Sequence, residues 1–127
     1  MKVLLPLSLV AVLATAPAFA DCPVPTASFT VPDGATATMD AMLAAKHAVK
    51  DYDTAIRAFT DCLKAEQDAK VAAGGDKLTE EDRQKISIEY ANRQNTEVEK
   101  LQQLADQFNV AVRAYKARTA AAAPAAK

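Results

Sequence analysis

Two stretches of this chain, 38–73 and 79–119, contain neither Gly nor Pro, and every Gly and Pro in the chain lies outside them. Gly and Pro are the residues that stop a helix, so long Ala-rich runs without them are expected to be helical throughout. Between the two stands Gly74-Gly75-Asp76-Lys77-Leu78, a break of about five residues. A connection that short makes two long helices antiparallel neighbours. The expected fold is therefore all-α, a long antiparallel α-helical hairpin. At 127 residues there is room for one small domain only.

The first stretch carries a seven-residue period: Met42, Val49, Ile56 and Leu63 form one row, and Ala45, Tyr52 and Phe59 a second. These are the inward rows of a heptad. A flanking row of small residues, Ala41, Ala48, Ala55, Cys62 and Ala69, lets a neighbouring backbone approach closely. The opposite row, Asp40, His47, Thr54, Asp61 and Asp68, is polar. Thr38 is placed to cap the helix start, with Asp40 near the positive end of its dipole, and Gly74 to form a left-handed cap at its end.

The second stretch opens Thr79-Glu80-Glu81-Asp82, a capping box with Asp82 in the usual place of Glu. Capping accounts for these acids without a bound cation. Ala91, Val98, Ala105 and Val112 form one row; Leu101, Phe108 and Tyr115 adjoin it, with Leu104 and Ala111 beside them. Traced back toward the loop, these rows arrive at Gln84, Ser87 and Gln94. Pairing outward from Asp76 sets Leu104, Phe108 and Val112 against the Met42 to Val49 region. It sets Val98 and Leu101 near Tyr52 and Ile56, and Glu66, Lys70 and Ala73 near Gln84. The loop end is thus expected to bury little and to be the more mobile end.

The first twenty residues read as an address. Lys2, an apolar run from Val3 to Leu13 and a terminal Ala18-Phe19-Ala20 match a secretory signal with cleavage after Ala20. Pro6, Ser8, Thr15 and Pro17 interrupt a run already too short to span a bilayer. Cys22 follows Asp21 rather than a small residue, which argues against a lipoprotein. A signal this short is bacterial in style and directs the chain to the periplasm or beyond. In that oxidising compartment two Cys are read as a disulfide, and one intramolecular pairing exists, Cys22 with Cys62.

Residues 21–37 hold Pro23, Pro25 and Pro32 with an Asp33-Gly34 turn, so they form an extended arm rather than a helix. Cys62 lies ~33 Å along a helix from Asp40, and the arm, extended, reaches ~55 Å. The arm can therefore double back along the first helix and lay Val24, Phe29 and Val31 into the groove, stapled by the disulfide. A second copy, giving a four-helix dimer, is the alternative way to cover stripes wider than one partner helix. Residues 120–127, Ala/Pro low complexity, are expected to form a disordered tail outside the 21–119 domain.

Composition narrows function mainly by exclusion. A formal charge of -1, made slightly more negative when Lys2 leaves with the signal, offers no basic face for nucleic acid. The lone His47 sits five residues from Met42, about 140° around a helix, so Met39, Met42 and His47 do not form a copper site. Asp51 and Asp53 lie ~200° apart and are no acid/base pair. A Cys–His catalytic pair fails if Cys62 is oxidised. No enzyme, cofactor or metal is expected.

The arm and first helix resemble a family of small uncharacterised exported proteobacterial proteins. The resemblance is carried by Cys22-Pro23 with Pro25, Val31-Pro32-Asp33-Gly34, Ala37-Thr38, Met42, Val49-Lys50 with Tyr52, and Cys62-Leu63, about a third of the chain. It implies a disulfide-linked helical hairpin in the cell envelope and no activity. The expected role is non-enzymatic: interaction with, or structural support of, a protein partner in the envelope, with no stable membrane span after signal cleavage. The alternatives are a small-molecule or metal-binding bundle, and a chaperone-like binder using Leu78, Ile86 and Ile88 near the loop.

Overall fold

The computed structural model describes residues 21–122; the expected signal sequence, 1–20, and residues 123–127 of the expected tail lie outside it. The arm leads into α1, Met39–Gly74, then a 3-10 turn, Gly75–Lys77, then α2, Glu80–Ala122. The two helices pack against each other as an antiparallel hairpin, and a disulfide joins Cys22 to Cys62 with their Cα atoms 5.8 Å apart. α2 continues to Ala122, past the Thr119 boundary drawn from the sequence.

The helix ends follow local chemistry. Thr38 Oγ1 accepts the Ala41 N–H at 3.1 Å. At α2 the box closes both ways: the Asp82 N–H donates to Thr79 Oγ1 and the Thr79 N–H to Asp82 Oδ2, each at 3.1 Å. The cap of α1 differs from expectation. Gly75, not Gly74, takes the positive φ of 50°, and its N–H donates to the Val71 carbonyl. Gly74 is helical and serves by being small, because a Cβ there would overlap the Leu78 side chain folding back over it.

Along α1 the heptad reading holds. Met42, Ala45, Tyr52, Ile56, Phe59 and Leu63 are buried, and Val49 is half-buried. α2 is rotated from expectation. Its buried residues are Ile86, Tyr90, Glu97 and Ala111, while Ala91, Gln84 and Ser87 are exposed. Near the loop the seam follows the Ala111–Leu104 row back through Glu97 to Tyr90, with Ile86 a turn earlier, so tracing the Ala91 and Leu101 rows back to Gln84, Ser87 and Gln94 misplaces it there.

No residue from 64 to 85 is fully buried, as expected of the tip, but the loop half just behind it buries more than expected. Phe59, Leu63, Ile86, Tyr90 and Cys22 form a buried cluster in the loop half, with Cys62, Val71 and Leu78 packed on it. Glu66 meets Tyr90 and Arg93, and Lys70 meets Glu89, about one and a half to two and a half turns further along α2 than Gln84. The open end, where both termini of the hairpin lie, is the looser one. Phe108, Val112 and Tyr115 there are half-buried, and Met39 and Leu43 are exposed.

The arm covers one flank of the seam. From Cys62 it runs back over the small row, close to Ala58, Ala55 and Ala48, as the Ala spacing permits. It then crosses to α2, where Gly34 is buried on the Ala111 backbone and a Cβ would overlap the Ala111 carbonyl. Asp33 shapes the turn: its Oδ1 accepts the Ala35 N–H at 2.9 Å and its carbonyl the Ala37 N–H at 2.8 Å. The Arg118 guanidinium donates to the Ala37 carbonyl and holds the arm's end against α2. Phe29 and Val31 are half-buried as expected, but Val24 is 54% exposed. The Val24 side chain is turned to solvent.

Candidate functional site

Three features hold chemistry beyond ordinary packing. The first is polar and lies beside the disulfide. Glu66 Oε1 accepts the Tyr90 hydroxyl at 2.9 Å and an Arg93 N–H at 3.3 Å. The tyrosine hydrogen bond, aided by Arg93 and opposed by burial, holds the Glu66 carboxyl below its usual range. Burial and then the Glu66 carboxylate push the Tyr90 hydroxyl up to about 12. At neutral pH the glutamate is therefore charged and the tyrosine protonated, and neither is poised to exchange a proton. Lys70 and Arg93 approach the Tyr90 ring at 5.4 and 5.3 Å. The arrangement works as a register lock between the helices.

The second feature is Glu97, 95% buried by its 5% exposure, in the middle of the seam. Its Oε1 accepts the Lys100 ammonium at 2.7 Å, and its Oε2 has no hydrogen-bond partner among the described residues. Burial, then the Glu97 charge, raises the Tyr52 hydroxyl above its ordinary value. Sequence reasoning missed both clusters, because each depends on which row of α2 faces α1.

The third feature is a groove of about 500 Å³ at the open end. Met42 is its most buried wall; Phe108, Val112 and Tyr115 rise from α2, and Met39 and Leu43 stand exposed at its edge. On each helix these residues and the arm's contacts project to opposite sides of the seam, given 100° per residue. The arm thus runs along one flank and the groove occupies the other. Tyr115 is steadied by Arg118, whose guanidinium lies 5.2 Å from its ring. Lys46 and Lys116 also line the groove, and neither is within ion-pair distance of an acid among the described residues.

The sequence-derived candidates fall as follows. Cys22 and Cys62 are joined, and the described residues hold no free cysteine. His47 is exposed on the polar row, away from buried Met42. The apolar concavity imagined near the loop does not form: Ile86 is buried, Leu78 is half-buried in the same cluster, and Ile88 alone is exposed. Its two isoleucines lie on different faces because α2 presents Ile86 to α1. The uncovered apolar surface lies at the other end. Leu43 and Met39, one position from the inward rows of α1, were its legible sign. Among the described residues no helix is long and apolar enough to cross a membrane, and no three His, Cys, Asp or Glu side chains converge.

Comparison with protein-family models, with curated proteins and with solved structures finds no match.

Proposed function

We propose that the chain is a non-catalytic exported protein of the cell envelope, periplasmic or secreted, that acts by binding another protein through the open-end groove. The observation that carries this reading is the one-sided cover of the hairpin. The arm lies along one flank of the seam, while the other keeps an apolar groove with Met39 at 56% and Leu43 at 45% exposure. Clustered exposed apolar side chains rimmed by polar ones are the usual mark of an interaction surface. The Cys22–Cys62 bond supports export, since such bonds persist in oxidising compartments. The locked protonation states of Glu66 and Tyr90 support a role without proton chemistry.

Site-specific photo-crosslinking in the native cell tests the surface. A photoreactive residue at Leu43 should give discrete protein adducts, and one at Ile88, exposed on the other end, should not. Adducts of equal strength at both positions, or none at Leu43, would overturn the reading. A second reading, a small-molecule binder, is favoured by the groove's volume, which lies in the range of ligand pockets. Native mass spectrometry of the exported protein would support it by showing a bound small molecule that Leu43→Glu removes.

A further inference from the structure

We infer that the open-end groove takes an acidic amphipathic helix, whose apolar face packs on Met42, Phe108 and Val112 and whose carboxylates meet Lys46 and Lys116. This rests on the reading that the groove is an interaction surface. It adds the chemistry of the partner.

The argument begins with where the lysines stand. α1 and α2 run antiparallel, so Lys46 on α1 lies level with Phe108 on α2, and Lys116 lies level with Met39. The groove runs from Met39 to Lys46 on α1 and from Phe108 to Lys116 on α2, about 10–12 Å at 1.5 Å of rise per residue. One ammonium therefore stands at each end of an apolar trough two helical turns long. Among the described residues no acid lines the groove.

An occupant must be apolar along its middle and anionic at both ends. An amphipathic helix with acids at i and i+7 and apolar anchors at i+3 and i+4 has that spacing. A single-headed amphiphile would satisfy one lysine and leave the other facing its alkyl chain. A second copy packed groove to groove about a two-fold axis would crowd four lysines together. Helix-in-groove docking also supplies a third helix on the flank that the arm leaves bare.

The test uses the oxidised, exported chain and two labelled synthetic helices in fluorescence anisotropy. Both carry the same leucine face; one has Glu and the other Lys at the flanking positions. The acidic helix should bind at least tenfold tighter at low salt, with the advantage shrinking as salt is added. Lys46→Glu with Lys116→Glu, both surface changes, should invert the preference. Leu43→Glu should abolish binding of both helices with the circular dichroism retained. Equal binding of the two helices, or a preference unmoved by charge reversal, would overturn the proposal. So would laurate binding at the groove without helix binding, which would point to a small amphiphile. A dimer in sedimentation that Leu43→Glu dissociates, again without helix binding, would assign the groove to a second copy. Crosslinks at Leu43 in the cell, with no acidic preference in vitro, would sink the partner chemistry while leaving the surface standing; absent crosslinks would sink the surface itself.

Discussion

At the scale of single residues, the informative positions are those where chemistry and packing conflict. Glu97 occupies a seam position and leaves Oε2 buried without a partner. A buried, half-satisfied carboxylate costs more than an apolar side chain of similar size. Glu97→Met should therefore stabilise the hairpin by about 1–2 kcal/mol, read as a higher melting temperature. It should also lower the titration midpoint of Tyr52, since Glu97 helps to raise it. Unchanged stability would mean that Glu97 finds partners in solution. Gly34 conflicts in the opposite sense. Its missing side chain is what lets the arm touch α2, so Gly34→Ala should lift the turn and cost about 1–3 kcal/mol. Thermal melts of the oxidised protein measure it.

Glu66 and Tyr90 predict a pH profile with two limbs. The carboxyl of Glu66 titrates lower when folded than its ordinary 4.5, so its contribution is present above that value and is lost as pH falls through the folded one. Tyr90 titrates higher when folded, at about 12 against 10.0. Between those values the unfolded chain releases a proton that the folded chain keeps, so stability falls as pH rises. Tyr90→Phe should shrink the alkaline limb to the part that Tyr52 supplies, and weaken the acid one. Denaturant midpoints across pH, with ultraviolet titration of tyrosinate, report both.

At the scale of elements, the two halves of the hairpin differ in what they bury. Leu63 is 2% exposed in the loop-half cluster, and Leu63→Ala should cost about 2–5 kcal/mol. Phe108 is only half-buried, so Phe108→Ala should fall below the ~3–5 kcal/mol of a fully buried ring. Amide exchange should be slowest around Phe59 to Leu63 and Ile86 to Tyr90, and faster in the first turns of α1 and the last turns of α2. Equal protection at the open end would mean that something already covers the groove. The helix boundaries themselves were legible because caps and breaks are local. Thr38 and the Thr79–Asp82 box act within a single turn. Which of two adjacent glycines turns left-handed was not legible, because it depends on Leu78 packing back onto Gly74.

At the scale of the whole molecule, the disulfide joins residues 40 apart in sequence and holds the arm's start on α1. Loop-entropy arithmetic gives it roughly 4 kcal/mol. Reduction should lower the melting temperature by several degrees and free the arm between Cys22 and Gly34. Near-ultraviolet dichroism should then report a changed Tyr52 environment, since arm residues 26–29 and Tyr52 line one cleft. The helical hairpin, its approximate ends, the doubling-back arm and the single cysteine pairing were all determined by the sequence itself. Each rests on residue types acting over a few positions, or on a pairing with no competitor. The tertiary structure alone decided the rotation of α2 that buries Glu97 and Ile86, the docking of Gly34 on Ala111, and which flank of the seam stays bare. Those depend on a seam that tolerates charged residues wherever its spacing demands them, and on an arm that can cover only one side.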